Sequence, residues 1–231
     1  MASEEQRIIG CDIGLKHLAL CGMSSTVGVV LWKVLDCTEY ITDFPSKKPT
    51  ISQCTAAVIA GLQSIAHELE SFNPTTLCIE IQPAGRGAGP ASSINKTLEH
   101  VVQAYFLLLH PATSVVHVSA RTKLSKAGHA VPKDYSERKK LAVAVVREGL
   151  SARCGSNPFD LWTQYFVQHK KKDDLADAYL IARNHIAEQR EPKRSAKAKK
   201  SKKKLEFETE SSPPATAAKK KRKRKEEEIT T

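Results

Sequence analysis

The spacing of apolar residues in the first part of the chain is typical of β-strands. Residues 8–13 form an apolar run of strand length, Gly14 supplies a turn, and residues 18–22 resume the apolar run. This pattern predicts a hairpin of two strands over residues 7–23. Residues 27–34 are rich in β-branched side chains and predict a third strand.

The apolar spacing then changes from that of a strand to that of a helix. Between positions 58 and 69 apolar residues recur at intervals of three and four, which predicts a helix over residues 51–72. Ser52 is the expected N-cap, and the Asn73-Pro74 pair ends the helix.

The rest of the chain alternates between strands and helices. The order of elements implies parallel crossovers, and therefore an α/β fold with a mixed central sheet flanked by helices. The patterns predict strands over residues 76–81 and 114–119, a basic loop over 121–133, and helices over 93–109, 136–150, 157–166 and 172–189.

Charge divides the chain into a body and a tail. Residues 191–231 hold 15 Lys+Arg and 7 Asp+Glu, a net charge of +8 out of +11 for the whole chain, and almost no apolar residues. We therefore expect a folded domain over residues 1–190 and a disordered Lys-rich tail over 191–231. The basic runs 197–204 and 219–225 are typical of nuclear import signals or nucleic-acid tethers. They favour a nuclear or viral DNA replication compartment over a mitochondrial one.

The cysteines and the N-terminus exclude several classes of protein. No apolar run is long enough to span a membrane, and residues 1–7 lack the features of a secretory or transit peptide. The six cysteines do not show the close spacing of a zinc site. Five of them lie in apolar segments and are expected to be buried free thiols, whereas Cys154 is expected to be exposed.

Acidic residues interrupt segments that are otherwise expected to be buried. Asp12 lies in the first strand, Glu80 in the strand after the first long helix, and Asp173, Asp174 and Asp177 at the start of the last helix. A buried carboxylate costs several kcal/mol unless it is paired or binds a cation. Asp174 and Asp177 are three residues apart and therefore lie on one face of the helix.

These four acids (Asp12, Glu80, Asp174 and Asp177) predict a metal site. Oxygen ligands without a partnered Cys or His favour Mg²⁺ or Mn²⁺ over zinc. Two such ions can activate a water and stabilise the leaving oxygen in phosphodiester cleavage. A single acid at a strand end is also typical of a sheet rim, and an Asp at a helix start is typical of a cap, which suits Asp173 and partly Asp174 but not Asp177. The prediction therefore depends on the four acids together.

Three motifs that contain these acids resemble those of RuvC-type Holliday junction resolvases. They are CDIGLKHLAL at residues 11–20, CIEIQ at 78–82 and KDDLADAYL at 172–180. The match is greatest to the branch found in poxviruses, other large DNA viruses and fungal mitochondria, and it covers residues 7–187. The resemblance implies a ribonuclease-H-like fold, and Mg²⁺-dependent nicking of four-way DNA junctions by a homodimer.

The resemblance also implies roles for individual residues. Asp12, Glu80, Asp174 and Asp177 take the places of the family's acidic cluster, with Asp173 as an outer-shell residue. Lys123 is expected to contact the phosphate or the transition state, and helix 93–109 is the candidate dimer interface. The expected DNA-binding residues are Arg121, Lys123, Arg138, Lys139 and Lys140.

Other functions remain open at this point. The fold also suits a nuclease for other branched DNA or RNA–DNA substrates, or a non-catalytic branched-DNA-binding protein. The Asp12-Ile-Gly14 motif also occurs in ATP-binding proteins of the actin and sugar-kinase type, but no second such motif follows. The Gly-rich segment 83–90 is either a junction-binding loop or an insertion.

Overall fold

A computed structural model describes residues 5–42, 44, 47–82, 90–152 and 161–190. For residues 90–92 it describes the backbone alone. Cys154, residues 83–89 of the Gly-rich segment and the predicted tail 191–231 lie outside the described residues. The first four residues of the helix predicted over 157–166 also lie outside them.

A five-stranded mixed sheet lies at the centre of the domain. Its strand order is β3-β2-β1-β4-β5. The first three strands are antiparallel neighbours, and β4 and β5 run parallel to β1. The predicted hairpin and parallel crossovers are thus confirmed. The strands are β1 Arg7–Asp12, β2 Leu18–Ser24, β3 Gly28–Leu35, β4 Thr76–Glu80 and β5 Ser114–Val118.

Helices cover both faces of this sheet. Because side chains of a strand alternate between faces, Ile8 and Cys78 join a core with α5, α6 and α7, whereas Ile9 and Leu77 join a second core with α1, α2 and α3. The helices are α1 Ile51–Gln63, α2 Ala66–Phe72, α3 Pro90–Leu109, α4 Thr122–Lys126, α5 Tyr135–Ser151, α6 Leu161–Gln168 and α7 Lys172–Arg190.

An aromatic cluster joins the sheet to the last helices. Trp32 is fully buried and stacks on Phe166 with ring centroids 5.2 Å apart. Its indole Nε1 donates a hydrogen bond to the Leu175 carbonyl oxygen at 3.0 Å. Since Leu175 lies between Asp174 and Asp177, this contact fixes the acidic turn of α7 against the sheet.

Three local predictions were wrong. The helix predicted over 51–72 is two helices, because the chain leaves helical geometry at Ile65 (φ −117°, ψ 15°). Thr50, not Ser52, caps α1 through a capping box with Gln53, since its hydroxyl reaches the third backbone N–H of the helix. The predicted basic loop 121–133 contains α4, whose short length gives a weak periodic signal.

The described cysteines are all buried free thiols, as predicted. Burial raises the pKa of Cys78 to about 12, so this thiol stays protonated and behaves as an apolar core group. Among the helices of the described residues, none is long and apolar enough to cross a bilayer.

Candidate active site

Strand register places Asp12 next to Glu80. In the parallel pair of β1 and β4, Cys11 lies opposite Ile79, so the next residue of each strand is an acid at the same edge of the sheet. Asp12 follows Ile8 and Gly10 on the face that α7 covers, and Glu80 follows Cys78 on that same face. The two carboxylates therefore point to the same side and interact directly.

A glycine in β1 lets α7 approach these acids. A Cβ atom built on Gly10 would overlap the Ala178 carbonyl oxygen and would lie 2.8 Å from the Ala182 nitrogen. Only a residue without a side chain allows this contact between strand and helix. Because Asp177 precedes Ala178, the close approach brings the Asp177 carboxylate to the Asp12–Glu80 edge.

Lys123 lies among the three acids and pairs with two of them. Its ammonium donates a hydrogen bond to Glu80 Oε2 at 2.6 Å and lies 3.0 Å from Asp177 Oδ2. The residue is only 7% exposed. Its backbone carbonyl accepts a hydrogen bond at 2.7 Å from the buried Asn184 amide of α7, so α4 is anchored to the helix that carries Asp177.

The electrostatics of this cluster reflect burial and like charge. Burial raises the pKa of Asp12 well above its usual value, and the Glu80 and Asp177 carboxylates add to this effect while Lys123 opposes it. Burial also raises the pKa of Asp177. For Lys123, burial alone lowers the pKa, but the surrounding carboxylates outweigh it, so the ammonium pKa is raised.

Asp174 lies at the rim of the same cavity. One of its carboxylate oxygens, Oδ2, is buried and has no hydrogen-bond partner in the described residues. Burial and the adjacent Asp173 raise the pKa of Asp174, while His17 and Lys139 oppose this effect. Asp173 itself pairs with Lys139 at 2.6 Å. The structure thus separates a central group of three acids from Asp174, one helical turn away.

The acids open into a cavity of about 860 Å³ with a basic wall. Of the residues predicted to bind DNA, Arg121, Arg138 and Lys139 line this cavity together with Lys123. Lys140 is exposed and is not among the residues that line it. Successive helical residues point in different directions, and α5 therefore turns Lys140 away from the wall.

Sequence reasoning missed or undervalued several residues of the cavity. His17 lines the cavity and faces Asp174. Tyr135 also lines it and is the first residue of α5, which begins one residue before the predicted position 136. Asp134 caps this helix by accepting a hydrogen bond from Glu137 N–H at 2.9 Å. An Asp three residues before a Glu was the available signal for this start.

A buried glutamate on α3 holds the chain just after Glu80. Glu99 is 0% exposed, and its Oε2 accepts a hydrogen bond from the Gln82 backbone N–H at 2.8 Å. Lys96 Nζ contacts its other oxygen at 2.7 Å, and His117 Nε2 lies 3.4 Å from that oxygen. Since Gln82 is two residues beyond Glu80, this network fixes the end of β4.

The donor chemistry of the cavity fits a hard divalent cation. All four acids offer oxygen ligands, and the unpartnered Asp174 Oδ2 is a carboxylate oxygen that lacks a donor. When ionised, the three acids around Lys123 carry more negative charge than its single ammonium offsets. Within the described residues, however, no three His, Cys, Asp or Glu side chains form a ready metal cage. The Lys123 ammonium contacts two of the acids instead.

The chain has a ribonuclease-H-like α/β fold, with acids at the ends of β1 and β4 and on the last helix. No family model matches this sequence, and no curated protein is detectably similar to it.

Solved structures identify the fold more closely as that of RuvC-type resolvases. The yeast mitochondrial Holliday junction resolvase Ydc2 is similar over 78% of this chain and 78% of its own, with 21% identity and a TM-score of 0.53. T. thermophilus RuvC in complex with a Holliday junction substrate is similar over 80% of this chain and 95% of its own, with 14% identity and a TM-score of 0.51. The predicted fold class is confirmed.

Proposed function

We propose that this protein is a structure-selective endonuclease that resolves four-way DNA junctions by metal-dependent phosphodiester hydrolysis. The observation that carries this proposal is the convergence of Asp12, Glu80 and Asp177 on Lys123 in one cavity. The fold adds support, since its solved neighbours include a Holliday junction resolvase and a protein bound to a Holliday junction substrate.

Asp12, Glu80, Asp174 and Asp177 would hold Mg²⁺ or Mn²⁺, with two ions in each site. Bound ions of this kind supply an activated water and stabilise the leaving oxygen. The protein's own contribution is to place oxygen ligands from two strands and one helix around one point. The fixed register of β1 and β4 and the close approach of α7 provide this placement.

Lys123 acts in this proposal as a permanent cation. Because the surrounding carboxylates raise its pKa, the amine stays protonated and does not act as a base. Its N–H groups can donate to a phosphate oxygen as they donate to Glu80 Oε2. A buried, preorganised donor of this type stabilises the charge that develops on the phosphate in the transition state.

The basic wall would bind the DNA backbone. Arg121, Arg138 and Lys139 line the cavity on the side of α4 and α5, where they can contact phosphates on either side of the cleaved bond. Lys140 lies outside the cavity, so its predicted contact would be to DNA beyond the cleavage site. Such contacts increase affinity at any sequence and weaken with salt.

A homodimer would give the two cuts that symmetric resolution needs, and we place its interface on α3. By sequence alone, Val101, Val102, Tyr105 and Leu109 of this helix suit either the interface or the core. Val102 belongs to the core, whereas Leu108 is 80% exposed at the end of α3, between the exposed Leu107 and Leu109. The variant Leu108→Lys is therefore expected to produce monomers in light scattering, and to nick only one strand of each junction.

The tail would act as an electrostatic tether and import signal. Removal of residues 191–231 is expected to weaken DNA binding and to flatten its salt dependence, without loss of cleavage at low salt. Complete loss of nicking by this truncation at low salt would contradict the separation into domain and tail. A nuclear or viral compartment stays a prediction from the tail, and one solved neighbour is a mitochondrial protein.

The decisive experiment uses a synthetic immobile four-way junction labelled on each arm, with linear duplex and a flap as controls. Wild type is compared with Asp177→Asn and Asp174→Asn, in Mg²⁺ and in EDTA. Glu188→Gln is the matched control, because it lies on the same helix but pairs with Lys126 away from the cavity. Paired symmetric nicks by wild type and Glu188→Gln only, absent in EDTA, are the expected result.

Other outcomes would redirect the assignment. Equal cleavage of duplex and junction would keep the nuclease chemistry and remove the junction preference. Preferential cleavage of the flap would indicate a nuclease for a different branched substrate. Tight junction binding without cleavage under all metal conditions would leave the non-catalytic binding protein as the better description.

A further inference from the structure

Tyr135 is an exposed aromatic residue in the wall of the catalytic cavity. Its surface is 64% exposed, and it lines the same cavity as Asp12 and Glu80. A tyrosine ring combines an apolar face with a polar hydroxyl, and an exposed ring that lines a cavity is available to a flat ligand. Tyr135 is the first residue of α5, where the Asp134 cap fixes the helix start.

Two cations lie over the ring. The Arg138 guanidinium carbon is 5.5 Å and the Lys139 Nζ is 5.0 Å from the ring centroid. Hydrogen bonds from Lys139 to Asp173 and to the Tyr135 hydroxyl are among the causes that raise the pKa of Lys139. These contacts hold the ring in one orientation, and they connect it through Lys139 to Asp173, the neighbour of Asp174.

Arg138 provides an independent sign that a ligand belongs here. Its Nε is buried and has no hydrogen-bond partner in the described residues, although Arg138 lines the cavity. A buried guanidinium N–H without an acceptor is costly, and a phosphate oxygen is a suitable acceptor. The exposed part of the ring can bind a flat apolar group, and the guanidinium over the ring can bind an anion.

Resting on the proposed function, we propose that Tyr135 stacks on an unpaired nucleobase of the bound DNA, next to the strand that enters the acid cluster. Base–aromatic stacking tolerates any sequence because every base has a π-face. Val131 and Pro132 line the same cavity and add apolar surface to its wall. Arg138 then binds the phosphate of the stacked nucleotide. A paired duplex offers no free base face, so this contact favours substrates whose bases are unstacked at a branch point.

The test is a double-mutant cycle between Tyr135 and the DNA bases. Wild type, Tyr135→Leu and Tyr135→Phe are titrated in EDTA, where no cleavage is expected, against junctions that each carry one abasic site near the branch point. Tyr135→Phe is the matched control because it keeps the ring and loses only the hydroxyl. Since the side chain is exposed, both variants should fold, and circular dichroism checks this.

The stacking proposal predicts how the affinities of the variants for intact and abasic junctions compare. Loss of one particular base should weaken wild-type binding about tenfold, and Tyr135→Leu should weaken binding of the intact junction by a similar factor. The two losses should not add, and Tyr135→Phe should resemble wild type. Equal binding by Tyr135→Leu and wild type, or losses that add at every position, would overturn the proposal.

Failure of the proposed function would be distinguishable. If wild type does not bind junctions, the same cycle is run on a flap and on single-stranded DNA. Non-additivity there would keep Tyr135 as a base-stacking residue for a different substrate. Absence of binding to all three DNA forms would contradict both proposals.

Discussion

Lys123 Nζ and Glu80 Oε2 form a buried ion pair at 2.6 Å, between a helix of five residues and the end of a central strand. The same ammonium lies 3.0 Å from Asp177 Oδ2. One cation therefore offsets part of the repulsion among three acids. The free energy of unfolding should therefore depend on whether the acids contact the Lys123 ammonium, a divalent metal ion or neither.

Removal of the Lys123 charge is expected to make the fold depend on metal. In EDTA, Lys123→Met leaves the carboxylates unpaired and should lower the free energy of unfolding by about 3 kcal/mol, a typical cost of breaking a buried pair. Because the lost ammonium no longer opposes a divalent cation, Mg²⁺ should raise the Tm of the variant more than that of wild type. Junction cleavage should fall at least about 100-fold if Lys123 stabilises the transition state.

The matched control for this experiment is Lys126→Met. Lys126 belongs to the same short helix, but its pair with Glu188 is exposed to solvent. We expect the Tm of this variant to change little, and its Tm to respond to Mg²⁺ as that of wild type does. Equal Mg²⁺ shifts for Lys123→Met and wild type, measured by differential scanning fluorimetry, would contradict the view that Lys123 and the metal share ligands.

Asp12→Asn is expected to stabilise the metal-free protein at neutral and high pH. Burial raises the pKa of Asp12 in the folded state, so the folded state favours the protonated form. The ionised carboxylate therefore destabilises the fold above its unfolded pKa, and this cost disappears as the pH falls below that value. In EDTA at pH 8 the variant should have a Tm a few degrees above wild type, and the difference should shrink toward pH 4.

Asp134→Asn provides a comparison of opposite sign. Hydrogen bonds from Ser136 and from the backbone of α5 lower the pKa of Asp134 in the folded state. Its ionised form therefore stabilises the fold, and this contribution is present at neutral pH and is lost as the pH falls. The variant should be less stable than wild type at pH 8. If Asp12→Asn also lowers the Tm at pH 8, the ionised Asp12 carboxylate does not destabilise the fold.

Gly10→Ala is expected to separate α7 from the sheet. The new methyl group would overlap the Ala178 carbonyl oxygen, which is backbone and cannot rotate away. The free energy of unfolding should fall by about 3 kcal/mol or more, at the upper end for overpacked sites. Any protein that still folds should cleave poorly because Asp177 moves away from Asp12. Thermal unfolding and junction cleavage both measure this effect.

The control for that variant is Gly149→Ala on α5. A Cβ at Gly149 would lie 3.2 Å from the hydroxyl of the buried Tyr179, a milder overlap than the one with backbone at Gly10. The gain in helix propensity offsets part of the crowding, so stability should change by less than about 1 kcal/mol. Equal effects of the two substitutions would show that the Gly10 contact has no special role.

Glu99 is expected to act as a positioning residue for Glu80. Glu99→Ala leaves the Gln82 N–H and the Lys96 ammonium without their acceptor, and should lower the free energy of unfolding by about 2 kcal/mol. It should also reduce kcat more than junction affinity, because the end of β4 loses its anchor. Glu99→Gln keeps an amide oxygen for Gln82 and should restore much of kcat. A uniform loss of affinity with unchanged kcat would argue against positioning.

The elements of the fold were largely predictable because their signals are local. Strands and helices follow from apolar spacing over five to twenty residues, and four acids stood out because each interrupts an apolar segment or begins a helix. Predictions failed where an element was too short to show periodicity, or where one apolar pattern ran through two elements. The break at Ile65 lies inside a continuous apolar pattern, and α4 has only five residues.

The sequence by itself determined the α/β order of elements, the identity of the acids and the basic character of the tail. Only the tertiary structure decided that Asp12, Glu80 and Asp177 meet at one lysine while Asp174 stays at the rim. It also placed Tyr135 in the cavity wall and Lys140 outside it. The reason is physical: apolar periodicity records which side of an element is buried, but distances between elements depend on packing. Here the contact of Gly10 with Ala178 sets that packing.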